Sequence, residues 1–253
     1  MTTQEICEVI YQDEYLVAIN KPSGLLVHRS PIDRHETRFA LQLVRDQIGK
    51  HVYPVHRLDK PTSGVLLFGL SSDIAREVSA QFAAGQVHKE YLAVVRGYSP
   101  EAGRIEHALK EEWDRIADRD RRPDKPAQEA RTDFRRLATV EVPFAVDRYP
   151  QSRYSLVALQ PETGRRHQLR RHMKHIGYPI IGDAKHGKGV HNRFFQSQYQ
   201  CHRLLLACTG LELVHPVSGE ALRFRARLDE PFTRVLSAFG WQRAVPAELL
   251  WKV

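Results

Sequence analysis

Short strand-like apolar runs are scattered along this chain with only a few helical ones among them, and no regular strand–helix alternation links them. That pattern argues against a doubly wound parallel sheet. It points to an α+β fold with a central mixed, mostly antiparallel sheet flanked by helices. Strands are expected at Tyr15–Ile19, Val65–Phe68, Val87–Val95 and Arg153–Gln160. Leu222, Phe224, Ala226 and Leu228 alternate with three arginines, as in a half-buried strand. A Lys21-Pro22-Ser23-Gly24 turn follows the first strand. Helical spacing joins Ala40, Leu41, Val44 and Ile48 up to a stop at Gly49, and Ile74, Val78 and Phe82 between a Ser72 N-cap and Gly85. A further helix is expected over Arg165–His175, with Leu169, Met173 and Ile176 docking on the core. Glu101–Gln128 is charged, carries Pro123 and Pro126, and reads as an exposed insertion with a short helix.

The 253 residues suffice for a sizeable core, and no apolar run approaches the roughly 18 residues of a membrane span. The N-terminus lacks the basic-then-apolar order of a secretory signal. Three cysteines without C-x-x-C spacing fit a reducing compartment, so a cytoplasmic location is expected. Net charge is +8, and its distribution is uneven. Thr163–Arg193 holds eight cations against one acid, Asp183, whereas Lys110–Arg136 holds nine against eight. A nucleic-acid backbone or a merely solubilising face would each account for such a patch.

Two segments carry chemistry. In Val55–Gly64 a strand-like stretch ends at Asp59, between Arg57 and Lys60, with Pro61, Thr62, Ser63 and Gly64 fixing the turn behind it. Flanking cations keep such an acid ionised, so Asp59 serves either as a nucleophile or base, or as a cap of its own turn. In Thr163–Gly177, Arg165 and Arg166 fall in the first helical turn, where the macrodipole disfavours cations. A distant carboxylate or a bound phosphate must offset them. Arg166, Arg170 and Lys174 share one face, from which one of them could reach a carboxylate in a cleft; a plain basic surface helix is the alternative. No metal is expected: His167, His172 and His175 are interleaved with cations, and neither H-E-x-x-H nor a zinc-spaced cysteine pair occurs. Phosphate-binding glycine loops are absent too. Gly187-Lys188-Gly189 reads as a flexible basic loop, and Tyr91 alone reads as half-buried packing.

Together these segments resemble a family. His56-Arg57-Leu58-Asp59-Lys60-Pro61-Thr62-Ser63-Gly64, the Lys89-Glu90-Tyr91 strand and Thr163-Gly164-Arg165-Arg166-His167-Gln168-Leu169-Arg170 are similar, in order, to three motifs of the RluA-type pseudouridine synthases. Gly177–Asp183 and Leu213–Glu220 extend the likeness, which runs from about Glu8 to Phe239. The resemblance implies the pseudouridine synthase fold, a basic catalytic cleft between two sub-lobes of a single catalytic domain over 1–253, and isomerisation of uridine to pseudouridine in RNA. It further implies Asp59 as the catalytic acid, Arg170 as its partner, Tyr91 against the target uracil, and Arg57 filling the gap left by a flipped base. No cofactor is implied.

The early start of the catalytic motifs leaves no room for an N-terminal S4-type domain, which points away from several ribosomal RNA enzymes. Leu25–Ser30 with Asp33-Arg34, Ile116–Asp118, and Gly182–Gly187 with Asn192-Arg193 resemble family members that act at uridine 65 of tRNA. A tRNA substrate is therefore expected, without membrane, metal or a second subunit. A ribosomal RNA synthase of the same family, or a catalytically silent RNA-binding module, are the alternatives. Arg165, Arg166, Lys174, Lys185, Lys188 and Arg193 are the expected phosphate contacts from their charge.

Overall fold

The computed structural model describes residues 7–29, 35–111 and 126–251. Asp33, Arg34 and the Ile116–Asp118 part of the charged insertion lie outside the described residues.

Among the described residues, ten strands form one sheet. β1 (Glu8–Gln12), β2 (Leu16–Lys21) and β4 (Ser63–Gly69) make one side, with the short β3 (Tyr53–Pro54) on β4. β5 (His88–Arg96), β8 (Ser152–Pro161), β7 (Arg131–Val142) and β6 (Ala102–Glu106) make the other. β9 (Leu206–Val214) joins the halves and also carries β10 (Ala221–Arg225). Only the β4–β9 pairing is parallel among the described strands, so the sheet is mixed and largely antiparallel, as expected.

The strands at the join are apolar on both faces: every residue of β4 is buried, and so are most of β9. Helices cover them. α1 (Ala40–Ile48) ends at Gly49, whose φ of 70° supplies the left-handed stop that its sequence predicts. α2 (Ser72–Ala83) is capped one residue earlier than expected, because Ser71, not Ser72, accepts from the Ile74 N–H. α5 (Glu230–Ala238) is capped by Asp229 and buries Phe232, Val235 and Leu236 in a core cluster shared with Leu92 and Val94 of β5 and Tyr154 and Leu156 of β8.

Three expectations need correction. α3 spans Gln168–His175 only; Arg165 and Arg166 belong to the turn before it, because His167 takes a left-handed backbone that helix cannot continue through. Neither arginine therefore opposes the macrodipole from within the first turn, and Arg166 shares no helical face with Arg170. The first residues of the supposed insertion are β6, paired to β7, with Ile105 and Leu109 buried; charged neighbours masked a sheet-edge strand. Of the expected basic loop Gly187-Lys188-Gly189, the last residue instead opens a helix, α4 (Gly189–Tyr199), whose Phe195 sits in an aromatic cluster with Tyr154, Tyr199 and Phe239.

Candidate active site

Asp59 ends an irregular stretch whose buried Leu58 anchors it to the core. The Thr62 N–H donates to the Asp59 carbonyl at 3.0 Å, closing a tight turn over Lys60 and Pro61 before β4 begins. Two contacts hold that turn from below. Fully buried Lys21 donates from Nζ to the carbonyls of Pro22, Leu25 and Lys60 at 2.8, 2.7 and 3.1 Å. Ser23 donates to the Pro61 carbonyl at 2.8 Å. Burial pulls the Lys21 ammonium down to about 7, while its three carbonyl acceptors match the three protons of the charged form. On the other side Gly64 lies opposite Cys208 of β9 with φ 113°, and a Cβ there would strike the Cys208 carbonyl. Cys208 also pairs with Tyr91 of β5. One residue of β9 thus fixes the Asp59 turn and Tyr91 relative to each other.

Arg170 projects from the first turn of α3 and is almost wholly buried. Its Nε and Nη2 donate to the two oxygens of Asp183 at 2.7 and 2.8 Å, and its Nη1 donates to Asp59 Oδ2 at 3.1 Å. The Asp183 side chain is fully buried and also accepts the backbone N–H groups of Lys185 and His186 at 3.0 and 2.9 Å. Burial alone would raise the Asp183 carboxyl, but the Arg170 fork and the two backbone donors outweigh it and hold it low. Arg170 in turn is held above its ordinary range by Asp183 and Asp59 against the cost of burial.

Tyr91 faces the same cleft. Burial, together with a hydrogen bond to Cys208, raises its phenol well above the usual range, so the ring stays neutral. His56 is neutral as well: burial drives it down to about 3, its Nε2 accepts the Leu67 N–H at 3.1 Å, and its ring stacks on Phe82. His167 lies 3.8 Å from Asp59. The cleft above these groups encloses about 980 Å³ and is rimmed by Arg57, Arg165, Arg166 and Lys185. Glu111 and Asp59 are the acids among its described lining residues. Such a trough concentrates a polyanion near the Asp59 carboxylate.

The structure therefore gathers Asp59, Tyr91, Arg170, Arg57, Arg165, Arg166 and Lys185 in one cleft. It does not bring Lys174, Lys188 or Arg193 there. Lys174 faces a separate groove beside His107 and His175, and Lys188 pairs with Asp147. Sequence reasoning passed over Asp183, although its isolation as the one acid among eight cations was a signal for a buried counter-charge.

The RNA pseudouridylate synthase family model matches residues 15–175. A Yersinia pestis protein, "tRNA pseudouridine synthase C", is 57% identical over 239 residues, covering 94% of this chain and 93% of that one. The chain belongs to the RNA pseudouridylate synthase family. A Vibrio cholerae protein of the same name is 53% identical, over 94% of this chain and 98% of its own. Among solved structures, human RNA pseudouridylate synthase domain containing 4 superposes with TM-score 0.69 at 27% identity, over 92% of this chain and 93% of that one. Human RNA pseudouridylate synthase domain containing 1 gives the same TM-score at 23% identity and supports the fold alone. The RluA-type resemblance and its pseudouridine synthase fold thus hold. No helix among the described residues of this synthase is long and apolar enough to cross a membrane.

Proposed function

We propose that this synthase acts on tRNA, converting uridine 65 to pseudouridine, with 1–253 working as a single catalytic domain. The observation that carries the reading is the 3.1 Å pair of Arg170 Nη1 and Asp59 Oδ2 on the floor of a cationic cleft. The names of the Yersinia and Vibrio relatives support the choice of RNA.

In this reading Arg165, Arg166 and Lys185 take the phosphates flanking the target, and their attraction offsets the few kcal/mol, roughly, of extruding a base from its stack. Arg57 occupies the space the base leaves. Asp59 meets the freed nucleoside at the junction of sugar and base, as nucleophile or base. The N1–C1′ bond breaks, a C5–C1′ bond forms, the C5 proton leaves and N1 takes one up, so atoms and oxidation state balance without a co-reactant. Tyr91, a neutral phenol engaged with Cys208, contributes its ring face and the shape of the pocket rather than a phenolate base. Lys174, Lys188 and Arg193 have no part in this reading.

The test is incubation with bulk tRNA that lacks the mark and, separately, with ribosomal RNA fragments, followed by mapping of pseudouridine. Product at tRNA position 65 supports the reading. Product confined to ribosomal RNA, or none, overturns it.

A further inference from the structure

His167 is the residue at which the chain turns into α3, and its backbone is left-handed, with φ 55°. A side chain disfavours that conformation, so the surroundings must hold it there. What they hold is an imidazole between two groups. Nε2 lies 3.8 Å from Asp59 Oδ2, and Nδ1 lies 3.0 Å from Nε2 of His186. His186 is buried, and its own backbone N–H donates to Asp183, the carboxylate that grips Arg170. The circuit closes: Asp59, Arg170, Asp183, His186, His167, and back to Asp59.

One proton occupies the His167–His186 contact, and its owner decides what Asp59 faces. If His167 supplied it from Nδ1, the lone pair of Nε2 would point at a carboxylate, which is repulsive. If His186 supplies it, His167 Nε2 carries the hydrogen and the contact is attractive. We infer that His186 locks His167 in its Nε2–H tautomer, making His167 a second donor to Asp59 Oδ2 and a positioning residue for the reaction. Arg170 and His167 both address Oδ2, so they leave Oδ1 to meet the nucleoside. This inference rests on Asp59 being the reacting carboxylate.

His167 is neutral under ordinary conditions. Burial is the main cause and takes it down to about 4; Asp59 opposes the shift, while Arg170, His186 and Arg166 add to it. The donor therefore directs the carboxylate without cancelling its charge. At 3.8 Å the contact is open, and a small rotation closes it once RNA expels water from the cleft.

Two substitutions separate this role from a backbone one. In His167→Gln the amide nitrogen reaches the place of Nε2 and keeps a donor toward Asp59. In His167→Asn it reaches only the place of Nδ1, yet asparagine accepts a left-handed backbone more readily than glutamine. Single-turnover release of tritium from C5-labelled uridine in tRNA, RNA affinity and melting temperature are measured for both. The glutamine variant should stay within about five-fold of the native rate and the asparagine variant should lose about fifty-fold, with affinity changed little, as expected for a hydrogen bond to a charged group. An asparagine variant as fast as the glutamine one, or faster, overturns the inference. Nitrogen-15 NMR of the free native protein reads the tautomer directly. Nε2–H at His167 supports the inference and Nδ1–H overturns it, whether or not the variants fold. Because that spectrum needs no RNA, it also stands apart from a failure of the native protein to release tritium, which would strike the proposed function instead.

Discussion

Asp183 grips Arg170 by two hydrogen bonds of 2.7 and 2.8 Å and thereby aims the remaining guanidinium nitrogen at Asp59, 111 residues away in sequence from Arg170. A fork held at two points cannot swing. Replacing Asp183 with Asn removes the counter-charge of a buried cation, at a cost of about 3 kcal/mol in unfolding free energy. Misplacement of the fork should lower single-turnover rate about a hundredfold while RNA affinity changes little. Denaturant titration and tritium release check both, and a loss confined to affinity would contradict this role.

Gly64 and Cys208 make the second rigid point. Their backbones approach so closely that no side chain fits on Gly64, and its φ of 113° suits glycine alone. Gly64→Ala should cost about 3 kcal/mol or more, from strain and from parting β4 and β9 under the Asp59 turn. Equilibrium unfolding within 1 kcal/mol of native, roughly, would show that the junction yields.

These two cases also show where sequence was informative. Gly64 could be read as part of a turn, but its closeness to Cys208 is a contact between strands 144 residues apart in sequence, and only folding creates it. Asp59, Tyr91 and Arg170 were legible because each sits in a local motif, and the structure brings all three to one cleft. Asp183 carried only the weaker signal of a lone acid in a basic stretch, which hints at a counter-charge but does not say which cation it grips. Helix α3 was placed correctly at its end, where Leu169 and Met173 repeat and Gly177 stops it, and wrongly at its start. There His167 adopts a conformation that propensity gives to glycine or asparagine. Lys188 looked like a phosphate contact by charge, yet charge alone says nothing about Asp147 beside it.

Salt dependence distinguishes the basic residues. Lys185 lines the cleft and Lys188 is engaged by Asp147 outside it. Lys185→Ala should reduce the slope of log affinity for tRNA against log salt by about 1, and Lys188→Ala should leave it unchanged. Equal slopes for both variants and the native protein would remove Lys185 from the interface.

Acid should weaken the fold through three histidines that are held neutral in it. Burial drives His56 down to about 3, and His167 and His191 to about 4. Each is released to an ordinary value near 6.5 on unfolding, roughly, so the unfolded chain binds more protons between those limits. Stability from this source is complete above about pH 6.5 and falls as pH drops toward the folded values, by up to about 1.4 kcal/mol per pH unit for each histidine. Urea midpoints measured from pH 7 to pH 4 should decline accordingly; a flat profile would mean that these rings take up protons in the folded protein as readily as in the unfolded chain.

The central claim is that the Asp59 carboxylate performs the chemistry at the floor of the cleft. Asp59→Asn keeps the size of the side chain and a partner for Arg170, so tRNA affinity should remain within a few-fold of native. Release of tritium from C5-labelled uridine in tRNA should then vanish while the native protein releases it. Undiminished release by the asparagine variant would contradict the account.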